Sequence, residues 1–245
     1  MRTFNSPYEF FLRATAWAYR CSLRHLMPVC GTVSYAGVVT DVDRKLGDSI
    51  LIPSFFESEL ADIPDYEEAL VRGLNMYLQP GMSVVIVGAG IGVTAVIAAK
   101  LIGSLGQVIC YEASLKNVGR IREVAIRNKV AEQINVHYGL VGPPIAVYHG
   151  DNRAPQVDLK NLSECDLLEL DCEGSEKDII AELPILPKHI VVETHGLYGA
   201  KTKVIDDLLK QKGYNTVNLG IAEPRVKSFC DKNDIYVIGA ELCQH

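Results

Sequence analysis

Val84-Val85-Ile86-Val87-Gly88-Ala89-Gly90-Ile91-Gly92 joins two different patterns in this chain. Ser83–Val87 ends an apolar run, the pattern of a parallel strand buried on both faces. Thr94–Ile102, just beyond, is apolar and of helical length. The glycines between them each have a physical use. Gly88 permits a tight turn, Gly90 lets a ligand lie against bare backbone, and Gly92 is expected to bring the helix close to the strand. An isolated G-x-G-x-G is weak, but here the strand before it and the helix after it supply the required setting.

Toward the C-terminus the strand–helix rhythm continues. Strands are predicted at Gln107–Tyr111, Ile134–Tyr138, Asp166–Leu170, Ile190–Glu193, Tyr214–Leu219 and Ile235–Gly239. Helices are predicted at Ser114–Val130, Ser175–Leu183 and Lys201–Lys212, the first burying Leu115, Val118, Ile121, Val124 and Ala125. Residues 139–163 carry Pro143, Pro144 and Pro155 and read as a small hairpin insertion. The fold class is therefore α/β, a Rossmann-like doubly wound, seven-stranded, mostly parallel sheet.

Toward the N-terminus, Tyr66–Leu78 reads as a helix stopped by Pro80-Gly81. Residues 32–52 read as a hairpin around a polar turn, Asp41–Asp48, and Pro53 and Pro64 mark a loop. Residues 4–27 form an amphipathic helix that either packs on its own domain or serves as a dimer or membrane-surface contact. The division expected is an N-terminal helix plus β-hairpin extension over residues 1–61 and an α/β domain over 62–245.

Composition narrows the class. Of the 245 residues 48% are apolar and 22% charged, enough for a sizeable core and incompatible with global disorder. Thirty acidic against 24 basic residues leave a net charge of −6, so no bulk attraction draws nucleic acid or anionic lipid. Tyr8–Val29, the most apolar decoy, contains Arg13, Arg20 and Arg24, too costly for a membrane span. The seven cysteines include no C-x-x-C pair and read as reduced thiols of a cytoplasmic protein. No clustered metal ligands are visible, so no metal is expected.

Two acidic features sharpen the glycine loop. Glu112 ends the second core strand, 24 residues after Gly88, where an acid accepts hydrogen bonds from ribose hydroxyls; a surface carboxylate at a strand end is the alternative. Position 93 is Val, so the third glycine arrives one residue earlier than a dinucleotide fingerprint requires. No phosphate-loop Lys follows Gly92, which argues against an ATPase. Further on, Cys165–Glu176 delivers Asp171 at a strand end and then Glu173 and Glu176 around Gly174. Glu176 either belongs to the site or simply favours the helix start through the dipole.

The G-x-G-x-G form on the first core strand resembles class I S-adenosylmethionine-dependent methyltransferases. Asp171, Glu173, Gly174 and Glu176, followed by Glu193-Thr194-His195, resemble the FkbM family of methyltransferases. Tyr66-Glu67 through Pro80-Gly81 resembles the helix before that family's glycine loop, so the resemblance covers about residues 65–220. Two positions depart from it. The usual acid two residues before the first glycine is Ile86 here, and the frequent Lys two residues before the Asp is Glu169.

The resemblance implies S-adenosyl-L-methionine as cofactor and methyl transfer to a hydroxyl on a small-molecule or glycan acceptor. It implies Gly88, Ala89 and Gly90 on the methionine side with Gly92 completing the loop, Glu112 with Ala113 at the ribose, and Tyr138 and Gly139 at the adenine. Asp171 would face the methionine amino group or the acceptor, and Asp171, Glu173 and His195 are the candidate bases, His195 because histidine titrates near neutrality. Two other classes stay open. A non-catalytic S-adenosylmethionine-binding or interaction module is favoured by Ile86 and Glu169, whereas an NAD-dependent oxidoreductase is opposed by the glycine spacing. No nucleic-acid partner is expected, and the N-terminal region leaves room for a homodimer.

Overall fold

The central sheet of this computed structural model has seven strands, in the order Tyr214–Ile221, Tyr236–Leu242, His189–Glu193, Leu167–Leu170, Ser83–Val87, Gln107–Glu112, Ile134–Tyr138. The structure describes residues 32–41, 59–143 and 154–243, so the helix expected over 4–27 and most of the turn Asp41–Asp48 lie outside the described residues. The chain separates into two units, residues 1–34 with 40–62, and 35–39 with 63–245. The seven strands are β4 (Ser83–Val87), β5 (Gln107–Glu112), β6 (Ile134–Tyr138), β9 (Leu167–Leu170), β10 (His189–Glu193), β11 (Tyr214–Ile221) and β12 (Tyr236–Leu242). β12 is antiparallel to both of its neighbours, and the other pairs are parallel.

Helices α1 (Glu68–Tyr77), α2 (Val93–Ile102) and α3 (Leu115–Arg127) share one apolar cluster with Val84, Ile86, Val108, Leu167 and Val191. Helices α4 (Glu176–Glu182) and α5 (Thr202–Gln211) share the other with Val85, Val87, Leu168, Leu170, Ile190 and Val192. Odd and even residues of each central strand thus enter opposite cores, which is why these strands are apolar throughout instead of alternating. α2 is buried along nearly its whole circumference, matching its apolar sequence. Among the described residues, no helix is long and apolar enough to cross a membrane.

The chain winds outward from β4 through β5 to β6, then returns to the other side of β4 as β9. The strand order therefore reverses between β4 and β9, and the crevice outside their carboxyl ends is where a doubly wound sheet takes its ligand.

Several local expectations change. β1 (Thr32–Tyr35) and β2 (Val38–Asp41) turn through Ala36 and Gly37, at φ 48° and 77°, a turn that was not expected inside the stretch 32–40. Two consecutive positive φ values twist a two-residue connection to suit a hairpin. β3 (Glu59–Ile63), read as loop, joins them in a small sheet of order β2-β1-β3. β7 (Leu140–Val141) and β8 (Gln156–Val157) pair in parallel, so the expected hairpin insertion is absent from the described part of 139–163. Leu115 is 59% exposed because it is the first residue of α3, directly after the Ser114 cap; Val118, Ile121, Val124 and Ala125 carry the buried face as expected. A short helix, α6 (Lys227–Asn233), stands unforeseen between the last two strands.

Candidate functional site

Gly88 leaves β4 at φ 85°, and a Cβ there would stand 1.8 Å from the Asp171 carbonyl oxygen. The loop and the end of β9 touch backbone to backbone, and only glycine permits it. The contact is held by Asp171 N–H donating to Val87 O at 3.0 Å and Gly88 N–H donating to Tyr111 O at 2.9 Å. Gly90 differs: at φ 53° it has nothing within 4 Å of its Cβ position, so its backbone borders open space. The close approach of Gly92 is to Ile121 of α3, 3.2 Å from the Cβ position, and not to the strand as expected.

Glu112 is buried beside this loop. Its carboxylate accepts from Gly90 N–H at 3.0 Å and from Ser114 N–H at 2.7 Å. Burial raises its pKa, and these two bonds oppose the rise without cancelling it. The Asn117 side chain is a third partner, and two carboxylate oxygens with about four lone-pair sites still leave capacity for a ligand hydroxyl. Tyr138 is its register partner on β6, and Gly139 N–H donates to Glu112 O at 3.0 Å. Gly88 to Gly92, Glu112, Ala113, Tyr138 and Gly139 therefore line one continuous edge across β4, β5 and β6.

The second group sits at the ends of β9 and β10. Glu176, the first residue of α4, is fully buried. One oxygen accepts from Cys172 N–H at 2.9 Å and faces His195 Nδ1 at 2.9 Å; the other accepts from Gly174 N–H at 2.8 Å. Glu176 thus folds back over the Asp171–Gly174 turn, where Glu173 is held at φ 55° and Gly174 at φ 112°. It does more than favour a helix terminus: it fixes the turn and the His195 ring together.

With Nδ1 directed at Glu176, His195 Nε2 faces Asp171 Oδ1 at 3.6 Å and Glu193 Oε1 at 3.5 Å. Burial alone would lower the His195 pKa, but the Glu176 bond and the Asp171 charge outweigh it and the net shift is upward. Burial lifts Asp171 to about 6, with His195 opposing and Glu176 adding. Glu173 rises to about 7, by burial first and the Asp171 charge second. The Glu193 carboxyl is also raised, by burial and then by Asp171 and Glu67.

Sequence reading had no means to place Glu67. It sits at φ 48° at the start of α1, hydrogen-bonded to Tyr66, and its pKa is raised by burial and by Asp171. Asp171, Glu176 and His195 also bring donor atoms within 4.8 Å of one another, the one such group among the described residues. All three residues stand out in the sequence, but nothing in their spacing announced that their side chains converge. Glu176 is already committed to three N–H partners, so the trio works first as a hydrogen-bonded brace.

The sequence matches no family model and no curated protein. Solved structures do match in fold. Ribosomal protein L11 methylase from Lactobacillus delbrueckii subsp. bulgaricus aligns with a TM-score of 0.52 at 12% identity, over 79% of this chain and 90% of that one. Precorrin-6y C5,15-methyltransferase from Geobacter metallireducens gives 0.48 at 18% identity, over 72% and 87%. The O-methyltransferase from Bacillus cereus, in complex with SAH, gives 0.48 at 13%, over 72% and 80%. At such identities the likeness is one of fold: a seven-stranded, Rossmann-like α/β architecture.

Proposed function

We propose that this chain is an S-adenosyl-L-methionine-dependent methyltransferase of FkbM type, acting on a hydroxyl of a small molecule or sugar. The observation that carries the reading is the bare backbone of Gly90, which borders open space beside Glu112 at the switch point of the sheet. The residues fit the cofactor chemically. Glu112 has acceptor capacity for ribose hydroxyls, Tyr138 and Gly139 border the adenine side, and Asp171 offers a carboxylate to the methionine ammonium. When bound, the cofactor supplies a methyl group already activated on a sulfonium.

The remaining task is to align the acceptor and take its proton. His195 suits it. Above its raised pKa the ring is neutral, and the Glu176 carboxylate then selects the tautomer with the proton on Nδ1, leaving Nε2 to accept from the acceptor hydroxyl. The imidazolium so formed faces Asp171 and Glu193, and the charges of Glu176, Asp171 and Glu173 stabilise it. Glu173 and Asp171 are the other candidate bases.

Titration calorimetry tests the reading. S-adenosylmethionine or its demethylated product should give binding heat and NAD none; heat from NAD alone sinks the proposal. Ile86 and Glu169 favour a second reading, a non-catalytic binding module. Tight cofactor binding without transfer to any hydroxyl acceptor would select that one.

A further inference from the structure

Glu169 lies inside the apolar layer between the sheet and α1–α2. It is 1% exposed, and its register partners are Ile86 on β4 and Val191 on β10. Oε2 has no hydrogen-bond partner. Its side-chain partner is the Thr94 hydroxyl, itself buried, in the first turn of α2 just beyond the glycine loop. The other titratable groups around it are Asp171 two residues along its strand, Glu67 before α1 and Cys110 on β5. Burial pushes its pKa up to about 8, Thr94 opposing and Asp171 adding, so at neutral pH the carboxyl keeps its proton.

A leucine would suit this layer better: a buried polar group with half its capacity unfilled costs stability. Here two polar side chains from separate elements meet in an apolar core. They meet where the glycine loop enters α2 and where β9 delivers Asp171. β4 presents only Ile86 at the matching position.

We propose that Glu169 is a positioning residue for the cofactor: through Thr94 it fixes the glycine loop and the first turn of α2 against the strand end that carries Asp171. This rests on the reading of the crevice as an S-adenosylmethionine site. Glu169 acts through the loop and does not touch the ligand.

The test is calorimetry with S-adenosylhomocysteine on the full chain. Loss of one such hydrogen bond corresponds to a weakening of up to about tenfold, expected in both Glu169→Leu and Thr94→Val. The thermal midpoint of Glu169→Leu should not fall, because an unfilled polar group has been removed. Wild-type affinity should decline as pH rises through about 8, and Glu169→Gln should abolish that decline. Affinities equal to wild type in Glu169→Leu and Thr94→Val, or a pH decline that persists in Glu169→Gln, would overturn the proposal. A cofactor-free measurement separates the two readings. In alkaline buffer the amides of Gly88–Thr94 should exchange faster in wild type than in Glu169→Gln. Equal exchange refutes the role of Glu169; absence of wild-type binding with the exchange difference intact refutes only the cofactor assignment.

Discussion

The two halves of the crevice are built from different materials. The β4–β5–β6 side is made of backbone: glycines at positive φ, with Glu112 pinned to the N–H of one of them, Gly90, and to that of Ser114. The β9–β10 side is made of side chains: Glu176, His195, Asp171 and Glu193 come from separate turns and meet through their functional groups. Backbone construction leaves a mark in contiguous sequence, because few residues besides glycine tolerate it. Side-chain construction leaves the residue types in the sequence but not their pairing: that the Glu176 carboxylate meets the His195 ring is written in no local pattern. The first side tolerates little change in shape, the second little change in charge.

Gly88→Ala should be the most damaging substitution. The added Cβ would overlap the Asp171 carbonyl at 1.8 Å with φ at 85°, and no side-chain rotation relieves it. A loss of roughly 4 kcal/mol or more, or failure to fold, is expected in denaturant titration. A variant of near wild-type stability would mean that the loop does not meet β9 as described. Glu176→Ala comes next. It leaves Cys172 N–H and Gly174 N–H without their acceptor and frees the His195 ring, at about 2–4 kcal/mol. Its pH–rate profile for methyl transfer should also lose the histidine limb, which a purely structural residue would not change.

Gly90→Ala should separate shape from stability. Nothing occupies its Cβ position, so the cost is about 1–2 kcal/mol of backbone strain. S-adenosylhomocysteine affinity should fall further than stability does. Glu112→Ala should weaken that ligand by at least about tenfold; unchanged affinity removes Glu112 from the site.

The last test is a pH slope. Asp171, Glu173 and Glu169 hold protons in the folded protein up to about pH 6, 7 and 8, whereas their unfolded counterparts release them near the ordinary carboxyl values. The folded state binds more protons across that interval, so stability falls as pH rises through it. The raised histidine acts in the same direction: its contribution is present below the unfolded pKa and lost as pH rises through the folded one. Thermal midpoints should therefore decline from about pH 5 to about pH 8, and Glu169→Gln should flatten the upper part. A rising midpoint over that range would show that these carboxylates are ionised in the fold.

Much of this was legible beforehand. Ser83–Val87 and Ile134–Tyr138 are strands at the expected bounds: the first is buried on both faces and apolar after Ser83, and the second, at the sheet edge, alternates exposed Asn135 and His137 with Val136. The turn at Ala36-Gly37 was missed because Ala36, at φ 48°, is no turn marker. α6 was missed because its seven residues offer only Phe229 and Cys230 as apolar periodicity. The direction of β12 is not written in its residues: an antiparallel strand in a buried sheet is as apolar as a parallel one.

Sequence alone determined the α/β class, the glycine loop and the strand ends that carry Glu112 and Asp171. Those depend on local periodicity and on conformations few residues besides glycine adopt. Only the tertiary structure decided that Glu176 clasps His195, that Gly88 rests on Asp171, and that Glu169 faces Ile86. Each of these joins residues far apart in the chain or on different strands, and each depends on burial, which a linear pattern cannot encode.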